Sequence, residues 1–569
     1  MLLVAVAIGA AGCSRGADAG DDPASKRERR AAAPATLEVA TFSSIARLTP
    51  ASDLASPIAG DAIDLEAARG EREGGQLIAR ALRGTPRVVL EPAALRSADG
   101  ARIPARRVHA YLEQELVVRQ GSPNGRSGTY VDPLVPARRR PVELGGDRRL
   151  IAWIDVDVPL DARPGTYSGS VAIRRARASG RATGGADGIL ARVPVRLVVR
   201  DATIPKLPTL HSHVGLDQSQ LVRFEGVRAG TPELRDVTER YATELAHARL
   251  SVGDVGALPP GSMPDVATDP EEAAYLRRVF TRRGVSSVRI PFYVTYPFRD
   301  PLGADRPAAI AYLRAAMAWA RSIGVADRAY VFAFDEPSDA DAGAVRELHE
   351  LLREADPELR QLVTREASAR PFAGSVDIWA PNIKADRFQV ADVVRERRAG
   401  RPTWWYPSIT SWQPYPTLFI DDPRPAPRAL GWLAFERGVT GILYWSATHW
   451  HEVEDPYEDP ATYHEPEVVG NGDGTLMYPG GLVGLPGTPV PSVRLLQLRD
   501  GIEDHDLLAM ARCAATPAEL AGIRRAVHAA APAMDRIEPS PAQVNALRSA
   551  AFSAIEARSP RPGCALTQG

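Results

Sequence analysis

The sequence predicts a multidomain α/β plus β protein. An N-terminal antiparallel β-sandwich is expected over residues 38–205, a (β/α)8 TIM-like barrel over 206–490, and a C-terminal helical segment, 491–569, packed on the barrel. Three observations carry this. A chain of 569 residues is too long for one hydrophobic core. Up to about residue 205, short alternating apolar and polar runs are broken by Pro and Gly, the signature of turn-linked strands. Beyond it, strand-like runs alternate with helix-length amphipathic segments, the period of a βα repeat.

The elements follow in order. "MLLVAVAIGAAGC" is apolar but too short to span a bilayer, and its small residues end in a cysteine. It reads as a lipoprotein-type signal over 1–13. Ala10, Ala11, Gly12 and Cys13 would form the lipobox and Cys13 would be lipidated, so that the protein is exported and anchored to a bacterial membrane. No Lys or Arg precedes the run, which leaves an ordinary secretory signal as the other reading. Residues 14–37 are small, charged and poor in apolar groups, as a disordered tether is. Export makes a Cys513–Cys564 disulfide possible, with two unpaired thiols as the alternative.

In the sandwich, "QLIARAL", "RVHAYLEQELVV", "LIAWIDVDVP", "GTYSGSVAIRR" and "ARVPVRLVVRD" read as strands, and the Pro-stiffened "RDATIPKLPTL" marks the exit near 205. Eight barrel strands follow. They are "LHSHVGL" (210–216), "LSVGDVG" (250–256), "SSVRIPF" (286–292), "AYVFAFD" (329–335), "QLVTRE" (361–366), "VDIWAP" (376–381), "TWWYPS" (403–408) and "GILYWSA" (441–447). A Gly-, Pro- and acid-rich loop and then helical segments from 492 to about 557 complete the chain.

In such a barrel, chemistry sits at the C-terminal strand ends, and Asp335 and Glu336 fall at the end of the fourth strand, before Pro337. A turn there lets both side chains reach the mouth. Two ionised neighbours repel, so one of them should keep its proton, and Glu336 is the expected acid. The competing reading makes Asp335 the cap of the next helix, a task that Ser338 or Asp339 could also perform. Seven of the nine Trp residues lie between 379 and 450. Aromatic faces stack on sugar rings, so Trp379, Trp404, Trp405, Tyr406, Tyr444, Trp445, Trp450 and Tyr478 are the candidate glycan contacts, with core packing as the alternative, above all for Trp432.

A glycosidase with two carboxylates needs them about 5–5.5 Å apart for retention or about 6.5–9.5 Å for inversion. The seventh run, "TWWYPS", holds no acid. Substrate assistance fits instead: the 2-acetamido oxygen of an N-acetylhexosamine attacks its own anomeric carbon, Asp335 steadies the acetamido nitrogen and Glu336 protonates the leaving oxygen. Glu366, Asp377 and Asp455 are the other acids that could serve.

With these residues in view, the chain resembles glycoside hydrolase family 123 and the wider group carrying the domain of unknown function 4091. The motifs are "LEAARGEREGGQLIARA", "YVDPLVP", "PGTYSGSVAI", "FAFDEP", "VDIWAPN", "GILYWSATHW" with "DPY", "GDGTLMYPG" and "PSVRLLQLRDGIEDHDLL". The resemblance implies an exo-acting β-N-acetylgalactosaminidase using neighbouring-group participation, with Asp335 as stabiliser and Glu336 as acid/base.

Hydrophobic residues make up 44% and charged residues 24%, and the formal net charge of -1 supplies no field to hold nucleic acid. In "LRDGIEDHDLL", Asp500 should cap a helix with Glu503 and Asp504 in its first turn, and Arg499 should tie that helix to the barrel. "GNGDGTLMYPG" should line the cleft and offer Tyr478. The ten His residues lack metal-ligand spacing, His449 and His451 would touch either substrate or only solvent, and neither a metal nor another cofactor is expected. The expected partners are a glycan ending in N-acetylhexosamine and, through the lipid, a membrane. A surface glycan-binding protein without activity, and a glycosidase for sugars lacking the acetamido group, are the other two readings.

Overall fold

Alternating apolar and polar residues build the first half of the chain. A computed structural model describes residues 37–56, 58–138, 140–177, 188–253, 270–384, 386–561, 564 and 566. The leader, Cys13 and the tether up to residue 36 lie outside these, while Leu37 already begins a strand.

The strands are β1 (Leu37–Ser43), β2 (Ile63–Arg69), β3 (Arg72–Ala81), β4 (Arg87–Pro92), β5 (Leu95–Ser97), β6 (Arg102–Ile103), β7 (Val108–Val118), β8 (Gly128–Pro136), β9 (Val142–Glu143), β10 (Leu150–Asp157), β11 (Gly165–Arg175) and β12 (Ile189–Thr203). They pair as two sheets, β1-β3-β10-β7-β8 and β2-β12-β11-β4-β9. Every second residue of β12, Val193, Val195, Leu197 and Val199, is buried, and these meet Leu77 and Ala79 of β3 and Ala152 and Ile154 of β10 in one core shared by both sheets. One pairing departs from the antiparallel expectation: β2 runs parallel to β12. The first sheet is covered on its other face as well, which makes β3 apolar on both sides and buries seven consecutive residues.

The chain leaves β12 at Thr203 and the period changes. The next elements are β13 (His211–Val214), α1 (Gln218–Glu225), α2 (Pro232–His247), α3 (Pro270–Phe280), β14 (Val288–Arg289), α4 (Arg306–Ser322), β15 (Ala329–Phe334), α5 (Ala342–Ala355), β16 (Arg360–Val363), β17 (Ile378–Trp379), α6 (Val390–Arg398), β18 (Trp404–Trp405), α7 (Ala426–Arg437) and β19 (Gly441–Tyr444). Helix α2 shows why they form: Thr231 caps it, Pro232 opens it, and Leu234, Val237, Tyr241 and Leu245 bury one stripe.

Among the described residues, seven of the eight expected strands form, and the described part of the second run, 250–253, contributes a single bridge, Val252 to Val214. All pairings here are parallel, but they divide into β13-β19-β18 and β14-β15-β16-β17, joined by a Trp379–Thr403 bridge. Between the second run and β14, serine hydroxyls replace the ladder. Ser251 Oγ accepts the backbone N–H of Ser286 at 2.8 Å and of Ser287 at 3.1 Å, and Ser287 Oγ donates to Ser212 O at 2.7 Å. The backbone of the described residues therefore pairs as a curled arc rather than one closed eight-stranded ladder.

Two hairpins, β20 (Ala461–Glu465) with β21 (Val468–Asn471) and β22 (Met477–Pro479) with β23 (Pro489–Pro491), lead into α8 (Val493–Ala514), α9 (Pro517–Ala530) and α10 (Pro541–Ala557). A disulfide joins Cys513 to Cys564, tying the end of the chain to α8. The cap of α8 is Ser492, which corrects the expectation for Asp500: the whole "LRDGIEDHDLL" motif lies inside the helix and is buried. Arg499 reaches the first sheet instead of the barrel, bonding both oxygens of Asp155 at 2.8 and 2.9 Å and Asp500 at 2.7 Å. Arg428 of α7 binds Asp504 at 2.7 Å and Glu73 of β3 at 3.1 Å, and Arg548 of α10 binds Glu71 at 3.2 Å. Two glycines let α7 and α8 touch through their backbones, since a Cβ on Gly431 would stand 1.8 Å from Gly501 O.

Arg499→Ala takes from buried Asp155 the arginine that bonds both its oxygens and from Asp500 the nearer of its two arginines, and denaturant unfolding should record a loss of about 3–5 kcal/mol. Acids outnumber arginines in this cluster, and burial pushes Glu71 and Asp500 each up to about 7. Their folded values exceed their unfolded ones, so their contribution is complete in acid and is lost as the pH rises through about 7. The Tm should fall between about pH 5 and pH 8, and Asp500→Asn should make that fall shallower.

Candidate active site

Strand β15 carries the adjacent acids to its C-terminal end. Glu336 has a φ of 45°, a left-handed conformation that costs a β-branched-free but bulky residue on the order of 1 kcal/mol and ends the strand there. Thr364, just past β16, holds the turn: its Oγ1 accepts the Glu336 N–H at 2.6 Å and donates to Asp335 Oδ1 at 2.9 Å. Asp335 therefore does not cap α5. Ser338 and Asp341 form a capping box on the 3-10 turn, Asp339–Asp341, that leads into the helix.

Tyr406, just past β18, is buried and donates its hydroxyl to Glu336 Oε1. Asn382 holds the neighbouring loop, giving Nδ2 to Ser408 and Thr410 at 3.2 Å and accepting from Ser411 at 2.7 Å. Arg289 of β14 packs its guanidinium over Tyr293, 4.4 Å from the ring centre, and donates to Phe332 O at 2.8 Å. Both carboxylates are open to solvent along one edge, yet the cleft wall crowds Asp335. Withdrawal from water raises the Asp335 carboxyl above its usual range and the Glu336 charge adds to the rise, while Thr364 and Arg289 oppose it. Asp335 thus holds its proton more tightly than an ordinary aspartate.

The aromatic candidates divide. Tyr406 touches the pair. Trp445, just past β19, is half-buried and packs edge-on with His449 and Tyr463. Its Nε1 donates at 3.1 Å to Asp473 Oδ1, which also accepts the Tyr444 hydroxyl at 3.0 Å, and burial pushes Asp473 up to about 6. Tyr444 is therefore a buried support. Trp379 is buried and bonds Glu396 at 3.2 Å, and Trp404 stacks on His211 at the opposite strand end. Trp405 faces the helices against Phe388, Trp450 donates to Met477 O at 3.1 Å, and Tyr478 donates to Asp132 of β8 at 2.6 Å. These five, like Trp432 on α7, pack the interior. His451 bonds Asp217 at 2.6 Å, and "GNGDGTLMYPG" supplies Asp473 to the site region rather than Tyr478.

The spare acids are engaged. Asp377 binds Arg353 and accepts the Gln361 N–H at 2.8 Å, Glu366 pairs with Arg365 and Arg387 at 3.3 Å, and Asp455 accepts the Tyr457 N–H at 2.8 Å. Among the described residues no cluster of three His, Cys, Asp or Glu side chains is arranged to hold a metal. None of their helices is long and apolar enough to cross a membrane. Sequence reasoning missed Arg289, Thr364 and Asn382. Thr364 and Asn382 lie at strand ends like the acids, and that position was the available signal.

Residues 306–511, from α4 to near the end of α8, match the family model described as glycoside hydrolase 123, catalytic domain. The family 123 resemblance is thereby shown. A family 123 glycoside hydrolase from Clostridium perfringens, studied for glycolipid glycan hydrolysis, superposes with a TM-score of 0.63 at 14% identity, over 92% of this chain and 98% of that one. An FMN-binding beta-glucuronidase from Faecalibacterium prausnitzii L2-6 follows with a TM-score of 0.30 and 10% identity, over 78% of this chain and 60% of that one. No curated protein matches the chain.

The Asp335 carboxyl should titrate above the ordinary aspartate range by carboxyl 13C NMR. Thr364→Val should move it further up and Glu336→Gln should move it down. A carboxyl that holds its proton more tightly in the folded chain than in the unfolded one favours folding in acid and loses that effect as the pH rises. Asp335→Asn should therefore raise the Tm at neutral pH, an outcome measured by thermal unfolding.

Proposed function

We propose that the protein is an exported exo-β-N-acetylhexosaminidase, with β-GalNAc as the favoured sugar, working by the substrate-assisted retaining route. The observation that carries this reading is the adjacent Asp335 and Glu336 at the end of β15, inside a family 123 catalytic domain, with Tyr406 rather than a carboxylate facing them from β18. The acetamido oxygen bonds to the anomeric carbon as the glycosidic C–O bond breaks, and Glu336 gives its proton to the departing oxygen. Asp335 accepts the acetamido N–H and offsets the positive charge of the oxazolinium ring. Glu336, now a carboxylate, accepts the Tyr406 hydrogen bond and then deprotonates the water that opens the ring.

A (β/α)8 barrel closed through the serine seam is the architecture we infer for the catalytic part, and the half-buried Trp445 is the sugar platform. The Cys513–Cys564 disulfide supports export to an oxidising compartment, and the short apolar leader ending in Cys13 supports lipid anchoring there. The Clostridium perfringens neighbour's link to glycolipid glycans favours a lipid-borne glycan ending in N-acetylhexosamine.

Purified residues 38–569 should release the aryl group from β-GalNAc or β-GlcNAc reporters but not from the plain β-galactoside. Glu336→Gln should lower kcat by at least about a hundredfold. Hydrolysis of the plain galactoside would sink the assisted route, and silence on all three would favour a glycan binder.

A further inference from the structure

The parallel strands that carry Asp335 and Glu336 at one end enclose a second, unrelated feature at the other. A cavity of about 440 Å³ is lined at the strand starts by His211, Arg328, Arg360 and Trp404, and by Arg397 and Arg401 around the end of α6. From Arg328 to Asp335 the chain advances seven residues in extended form, so the two sites stand about 20 Å apart. None of the described lining residues is acidic. The acids nearby lie outside the lining: Glu396 holds Arg401 at 2.6 Å and Arg395 at 3.0 Å, Asp377 holds Arg353, and Asp327 lends part of its charge to Arg328 and Arg360.

The guanidiniums are only partly matched. Arg328 donates Nη2 to Phe280 O at 3.1 Å while its Nε is buried with no hydrogen-bond partner. Arg360 donates one Nη2 to Asp327 O. Burial holds both guanidiniums below the ordinary arginine value. Burial also drives His211 down to about 4, helped by Arg360 and Arg328, so the ring stays neutral and adds no charge. Several guanidiniums lining one cavity, one of them with a buried Nε that lacks a partner, match the planar, bidentate oxygens of phosphate and carboxylate.

We propose that this cavity is a second ligand site, separate from the carboxylate pair, which binds a small oxyanion carrying at least two negative charges. Arg328 and Arg360 are its inner anchors, and Arg401, which shares its charge with Glu396, is its outer one. An anion there supplies the partner that the protein does not give Arg328 Nε.

The test is isothermal titration of the whole protein with inorganic phosphate, pyrophosphate and citrate, in an amine buffer with NaCl matched for ionic strength. Saturable binding is expected for at least one of them, weakened at least tenfold by Arg360→Gln and by Arg401→Gln, and unchanged by Arg525→Gln on the exposed side of α9. Arg401 is half-exposed, so its variant reports even where Arg360→Gln fails to fold. Glu336→Gln should bind as the unaltered protein does, which separates this site from the glycan site. Preference for pyrophosphate over citrate would assign a phosphoryl ligand and the reverse a polycarboxylate. Absence of binding to all three, equal binding by Arg401→Gln, or loss of binding in Glu336→Gln would overturn the proposal.

Discussion

The structure depends on a buried cluster of ion pairs that α8 makes with everything around it. Arg499 grips Asp155 of the first sheet, Arg428 links α7 to Asp504 and Glu73, and Arg548 brings α10 to Glu71 and Asp504. Taking charges out of water is costly, and their mutual attraction repays it only where geometry is good and the remaining hydrogen bonds are made. Here they are made: Trp432 donates its indole N–H to Asp504 at 2.8 Å, and Asp506 accepts from Thr209 N–H at 2.6 Å. The surplus of acids is resolved by protons, since burial keeps Glu71 and Asp500 partly protonated near neutrality. Such a cluster admits one arrangement of sheets and helices, because a shifted helix would strand a charge.

The cleft inherits its geometry from that clamp. Helix α7, pressed against α8 at Gly431 and Gly501, precedes β19, and β19 pairs with the strand that delivers Tyr406. Arg494 of α8 bonds Asp132 of β8 at 2.8 and 3.0 Å and the carbonyls of Gly472 and Thr475 at 2.8 and 2.6 Å, which fixes the loop carrying Asp473. Asp473 in turn aims Trp445. The clamp therefore sets the orientation of Trp445 through Asp473.

At the acids themselves, the division of labour is electrostatic. Asp335 is crowded and steadied by Thr364, with Arg289 as the cation that tempers its rise. Glu336, twisted into a left-handed backbone, is held by Thr364 from behind and Tyr406 from in front. Local strain of that kind persists only where neighbours over-determine it, and three hydrogen bonds to two side chains do so here.

Much of this was legible in the residues. The change of period near 205 separated the two halves, "AYVFAFD" ended where the acids turn out to sit, and "FAFDEP" together with "GILYWSATHW" pointed to family 123. Periodicity and local motifs report which face of an element is apolar and where a strand stops, and those are properties of neighbouring residues. What only the tertiary structure decided involves residues far apart in sequence. Trp405 turned to the helices against Phe388 while Tyr406 reached Glu336, because a one-residue step along a strand reverses the side chain. Asp500 became part of a buried network instead of a cap, because its partner Arg499 found Asp155 some 344 positions away. Composition names the residues that can carry charge or stack on a sugar, and only packing settles which of them are sealed inside and which face the cleft.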